Sequence, residues 1–181
     1  MFVFIFSRLV LLLLPASISA AAMDRVVFTP GHSGDITNTS SLVRRDNIGW
    51  FPDEETQATC DSDATPEKTE GSEFLKADCT VIVRFNHEPG RYVIRGYAKG
   101  KWAQILDVGT CAIAVARNDD STDDFDVGDK DIRDSINAAM GMYEDPNKMK
   151  SVTGEGVCDP HDESGNEVQI KWKVADPEDL D

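Results

Sequence analysis

Gly109-Thr110-Cys111-Ala112-Ile113-Ala114-Val115-Ala116 is the stretch on which the fold turns. A short apolar run with little polar alternation predicts a strand buried on both faces, here built around a cysteine. Asn118 to Asp126 follow as an acidic link, and Val127-Gly128-Asp129-Lys130-Asp131-Ile132-Arg133-Asp134-Ser135-Ile136 then reads as the entry to a helix. Asp129 or Asp131 is expected to cap that start, where carboxylates suit the positive end of the helix dipole. Ile132, Ile136, Met140 (or Ala139) and Tyr143 make one apolar face, and Pro146 is expected to end the helix. The unit is a buried strand, an acidic loop and an amphipathic helix. Cys60, Cys79 and Cys158 lie on either side of it and can staple it in place.

Working outward, Arg91 to Gly96 and Trp102 to Leu106 are strand-like runs around Ala98-Lys99-Gly100-Lys101. They predict a hairpin and, with Gly109 to Ala116, an antiparallel meander. Leu75, Cys79, Ile82 and Asn86 fall at i, i+4, i+7 and i+11, a stripe that predicts a helix over 72–86. The β-branched run Thr80-Val81-Ile82-Val83 argues the other way. His87-Glu88-Pro89-Gly90 then breaks the helix.

Residues 46–72 read as mostly irregular, pinned by Cys60, with Trp50 and Phe51 either packed on the domain edge or exposed. Ser151 to Thr153 and Gly156 to Cys158 supply a strand that returns a cysteine to the core. Glu167 to Val174 alternates, with Val168, Ile170, Trp172 and Val174 on one face. An edge strand is expected there, Lys171 and Lys173 facing water and guarding it. Asp176 to Asp181 reads as a solvated acidic end. The fold class is α+β: a small disulfide-stabilised sandwich with an antiparallel sheet of about four to five strands and two helices.

A length of 181 residues suits one domain. Its N-terminus carries Phe2 to Phe6 and Leu9 to Leu14 with only Arg8 among them, ending in small residues to Ala22. Residues 1–22 are therefore expected to be a secretory signal peptide, not a membrane anchor. Residues 23–45 are polar and end in the dibasic pair Arg44-Arg45. They read as a propeptide cut at that pair, or the pair is two solvated charges. Asn38-Thr39-Ser40 is an N-glycosylation sequon.

The product of both cuts, 46–181, loses Arg8, Arg25, Arg44 and Arg45 against Asp24 and Asp35, taking the net charge from −15 to −17. So acidic a protein is repelled by nucleic acid and by anionic lipid, and no later apolar run approaches a membrane span. Secretion also decides the cysteines. Four of them in an oxidising compartment predict two disulfides, of which the spacing alone allows three connectivities. Zinc wants a close pair, and the nearest two, Cys60 and Cys79, are nineteen apart.

No catalytic constellation emerges. His87 and His161 each have carboxylates nearby in sequence, but no Gly-x-Ser-x-Gly elbow occurs, and the chain is not expected to be an enzyme. Asp119, Asp120, Asp123, Asp124, Asp126, Asp129 and Asp131 crowd a short span. They do not fit the Asp-x-Asp-x-Asp-Gly calcium loop, so a solvated loop with helix capping is expected, without metal or cofactor. The basic cluster Arg84, Arg91, Arg95, Lys99 and Lys101, interleaved with Tyr92, Tyr97 and Trp102, is the place to look for a binding face. Arg91, Tyr92, Arg95, Tyr97, Lys99, Lys101 and Trp102 would meet an anionic or carbohydrate partner there, or they simply face water.

Cys60, Asp78-Cys79, Gly109-Thr110-Cys111, Val127-Gly128 with Asp131-Ile132, and Gly154 to Cys158 together resemble a known family. It is that of the secreted fungal effectors called necrosis-inducing factors, the extracellular-protein-two type. The resemblance spans 60–158; the strand at 167–174 extends beyond it. It implies a virulence or cell-death-related protein without catalytic residues, acting by binding in the host apoplast or at a host surface. It also implies likeness to small killer toxins, hence the alternative of a secreted antimicrobial aimed at competing microbes. On a nested fold of this kind the expected pairs are Cys60–Cys158 and Cys79–Cys111.

Overall fold

The computed structural model describes residues 47–61, 65–163 and 165–180. The expected signal peptide, Asn38 and the Arg44-Arg45 pair lie outside them. In chain order the elements begin with β1 (Ile48–Pro52), β2 (Cys60–Asp61), β3 (Glu67–Lys68), β4 (Phe74–Leu75) and α1 (Lys76–Phe85). Next come β5 (Gly90–Ile94), β6 (Trp102–Val108), β7 (Cys111–Arg117), β8 (Phe125–Gly128) and α2 (Asp129–Gly141). β9 (Lys148–Met149), β10 (Val152–Cys158), β11 (Val168–Ala175) and a 3-10 turn (Pro177–Leu180) follow.

All pairings are antiparallel. The larger sheet runs β2-β10-β11-β7-β6, with β3 also on β10, the smaller runs β1-β5-β8, and β4 pairs β9. With two helices and two disulfides this is an α+β fold. β7 is buried at every residue because both of its faces are covered. Cys111, Ile113 and Val115 join the core with Cys79, Ile82, Ile132 and Ile136 of the two helices. Ala112 and Ala114 pack on the other side against Trp102, Ala175 and Leu180. The C-terminal tail is thus not a solvated end. Leu180 is buried, Asp179 accepts from the Ser72 N–H at 2.7 Å, and Lys173 Nζ donates to the Asp179 carbonyl at 2.6 Å.

Three expectations about pairing fail for one reason: local pattern does not choose a strand's neighbours. Arg91–Gly96 and Trp102–Leu106 do not form a hairpin or a meander. β5 lies between β1 and β8, whereas β6 pairs β7, so the Ala98–Lys101 turn carries the chain from one sheet to the other. Gly96 and Gly100, at φ 63° and 72°, allow that path. β11 is not an edge strand. Its alternation is as expected, but β10 and β7 flank it, and Lys171 and Lys173 lie on the outer sheet face beside the buried Ala116 and Ala114 instead of at a free edge. Residues 46–72 are mostly irregular as expected and pinned at Cys60, whose disulfide and bond to Asp131 hold β2 beside its pairing, while β1 and β3 pair with distant strands.

α1 starts at Lys76, four residues later than expected, because Phe74 and Leu75 pair with Met149 and Lys148. Its β-branched run stays helical because Cys79 and Ile82 are buried on one face, so packing overrides propensity. α2 ends at Gly141, before Pro146, and buries Ala139 rather than Met140.

Candidate binding face

The residues shared with the necrosis-inducing pattern form two knots in the framework. Asp78 Oδ2 accepts from both the backbone N–H and the hydroxyl of Thr110 at 2.8 Å, tying α1 to the β6–β7 turn. Gly109 in that turn has φ 56°, and a Cβ there would lie 2.5 Å from Asp78 Oδ2. The disulfide Cys79–Cys111 closes beside this contact.

The second knot is Asp131. Its Oδ2 accepts from the N–H groups of Thr59 at 2.8 Å, Gly128 at 3.0 Å and Cys60 at 3.1 Å, and from the Thr59 hydroxyl at 3.3 Å. The helix is therefore capped from its third position, with Gly128 as the N-cap residue. Gly128 is itself compelled, since a Cβ there would lie 2.2 Å from the Gln57 carbonyl oxygen. Asp129 does not cap. It is fully buried, accepting at Oδ1 from Gln57 N–H at 2.7 Å and Gly90 N–H at 3.3 Å, while Oδ2 pairs with Arg133 at 2.5 Å. The disulfide Cys60–Cys158 then joins β2 to β10.

The acidic loop is likewise employed. Asp119 accepts from Ser121 and Gln169 N–H groups, Asp123 from Asn166 and Asp124 from Gly96. Among the described residues no three carboxylate, imidazole or thiol groups converge to hold a metal ion.

This loop also meets the basic cluster. Arg91 Nε lies 2.9 Å from Asp126 and its Nη1 3.4 Å from Asp53; Arg95 lies 3.8 Å from Asp124 and Lys99 3.0 Å from Asp120. The seven residues expected to form one face are divided. Tyr92 packs tilted against Trp50 with ring centroids 4.6 Å apart and, with Tyr97, packs against the core. Trp102 lies on the outer side of the larger sheet, near Lys173. Lys99 and Lys101 are exposed in the connecting turn. Arg91 and Arg95 remain, and they share a surface with two groups that reading the basic run missed.

Phe51 on β1 is directly opposite Arg91 on β5, hence on the same side of the smaller sheet. It is 37% exposed, with the Arg95 guanidinium 5.5 Å from its ring centroid and the His161 ring 5.8 Å away. Gly49, two residues back on that side, leaves room for the ring: a Cβ there would lie 3.1 Å from it. His161 Nδ1 is 2.9 Å from Asp126 Oδ1, and no hydroxyl or thiol among the described residues bonds the imidazole. An apolar Trp50-Phe51-Pro52 amid acidic residues was the available sequence signal; His161 had none.

Burial pushes the Asp126 carboxyl above its ordinary 3.8, with Asp159 adding to this while the His161 hydrogen bond and the His161 and Arg91 charges oppose it. The folded state then holds a proton that the unfolded chain releases at lower pH. This contribution to stability is present below pH 3.8 and is lost as pH rises through the raised value. The expected result is that wild type loses stability relative to Asp126→Asn as pH rises across that window, measured by paired urea melts.

No helix among the described residues is long and apolar enough to cross a membrane. The family model Hce2, described as "Pathogen effector; putative necrosis-inducing factor", matches residues 59–158. No curated protein matches the chain.

Proposed function

We propose that this chain, which belongs to the Hce2 family of pathogen effectors, acts outside the producing cell by binding a host surface component, without catalysis of its own. The observation that carries this reading is the division of labour between residues. The family-pattern residues Asp78, Thr110, Gly128 and Asp131 tie the framework together, which leaves recognition to the surface. There, Phe51 sits exposed between Arg95 and His161 on a rigid sheet, the mix of ring and polar groups that suits a sugar or an anionic group. The Arg91–Asp53 and Arg95–Asp124 pairs are exposed, each worth no more than about 1 kcal/mol, so a partner's anion can replace them, while Arg91 stays held by the buried Asp126. Two disulfides suit an oxidising compartment.

The test is infiltration of the oxidised protein into leaves of several plant species, beside a reduced and alkylated sample and Phe51→Ala/Arg95→Glu. Necrosis from the oxidised wild type alone, lost in the double variant at unchanged melting temperature, is the expected result. Equal activity of the double variant would remove this face from the reading. A silent leaf with inhibited yeast or filamentous fungi would transfer the function to the killer-toxin-like alternative.

A further inference from the structure

The groups around Phe51 also bear on what its partner is made of. Asp53, Arg91, Asp126 and His161 form a line of linked groups on one side of the smaller sheet. Asp53 Oδ2 lies 3.4 Å from Arg91 Nη1, Arg91 Nε 2.9 Å from Asp126 Oδ2, and Asp126 Oδ1 2.9 Å from His161 Nδ1. Arg95 and Asp124 make a second group, 3.8 Å apart. The Phe51 ring has His161 of the first group 5.8 Å away and Arg95 of the second 5.5 Å away. Two guanidiniums and an imidazole thus stand with three carboxylates, and both guanidiniums are already matched.

That balance sorts the candidate partners by charge. An anion can replace Asp53 or Asp124, but it only exchanges one ion pair for another, and it approaches a chain of net charge −15. A cation is drawn to the chain, yet at this face it meets Arg91 and Arg95. A purely apolar group would cover charged side chains and return no hydrogen bonds. A hydroxyl is both donor and acceptor, so it can join such a pair at either end without breaking it. The pairs are open to it: His161, Arg91, Asp124, Asp53 and Arg95 keep 24%, 34%, 35%, 37% and 43% of their side chains exposed. Phe51, 37% exposed, adds an aromatic face, whose negative charge suits the weakly positive C–H groups of a pyranose.

We infer that the Phe51 face holds a neutral oligosaccharide, one ring against Phe51 and its hydroxyls shared among Arg91, Arg95 and their carboxylates. This rests on the surface reading proposed above and names the class of its partner.

The test is titration of the ¹⁵N-labelled oxidised protein with hexasaccharides, following the Arg91 and Arg95 side-chain resonances and the backbone of β1. The neutral probes are the hexamers of β-1,4-glucose, β-1,4-mannose and N-acetylglucosamine; the charged ones are hexagalacturonate and the glucosamine hexamer. At least one neutral hexamer is expected to give saturable shifts at these positions at millimolar concentration, at least tenfold tighter than both charged probes. Phe51→Ala is expected to weaken it at least tenfold, and Phe51→Trp to retain it. No saturable shift with any neutral hexamer would overturn the inference, as would shifts confined to other surfaces. Equal or tighter binding of a charged probe would overturn it too, whether or not Phe51→Ala folds. Hexagalacturonate binding alone at Phe51 would do so while leaving the surface reading intact, which the leaf assay judges separately.

Discussion

Asp131→Ala is expected to lower the unfolding free energy by about 3–5 kcal/mol, because one oxygen serves three backbone N–H groups and a hydroxyl. Removing it strands donors from Thr59, Cys60 and Gly128 in a half-buried position, at about 1–3 kcal/mol each before water reaches some of them. Against a usual total of about 5–15 kcal/mol this threatens the fold. Asp131→Asn keeps an acceptor oxygen and is expected to lose about 1 kcal/mol, since it gives up charge-assisted strength but no longer buries a charge. Burial already pushes the Asp131 carboxyl above its ordinary 3.8 against the hydrogen bonds that pull it down. Urea melts of both variants check this: equal losses for Ala and Asn would mean that the shape of the side chain matters and its acceptor does not.

Replacing the pair Cys60 and Cys158 by serine is expected to cost more than replacing Cys79 and Cys111. The two bridges close loops of 98 and 32 residues. Loop-closure entropy makes them worth about 5 and about 4 kcal/mol respectively. The longer bridge ties the two-residue strand β2 to β10, where only two register pairs hold it, so its loss also frees Thr59 and Cys60 from Asp131. The shorter bridge has Asp78–Thr110 beside it to hold α1 on the β6–β7 turn. Thermal melts are expected to rank wild type above the Cys79/Cys111 variant and that above the Cys60/Cys158 variant. The reverse order would show that the unfolded chain is not the state the longer bridge restrains.

The site was less legible than the fold. The basic run from Arg91 to Lys101 reads as a uniform face because charges adjacent in sequence look adjacent in space. In the folded protein Arg91 is met by Asp126 of β8, and Arg95 and Lys99 by Asp124 and Asp120 of the link between β7 and β8. His161 reaches Asp126 and Phe51 from 35 and 110 positions away, and no local pattern encodes such a meeting.

What the sequence by itself determined is whatever depends on one segment's own period. That covers the buried β7, the apolar face of α2, the alternation of β11 and the helix over most of 72–86. The ordered cysteine, glycine and aspartate motifs also point to the effector family, because residue types at set spacings are legible along the chain before their contacts are known. Only the tertiary structure decided which strand lies beside which, that β11 is central, that β5 and β6 part company, and which carboxylate answers which cation. Periodicity reports whether a side chain faces core or water. Pairing and charge matching are settled by distant segments competing for the same backbone donors, and one segment alone carries no record of that competition.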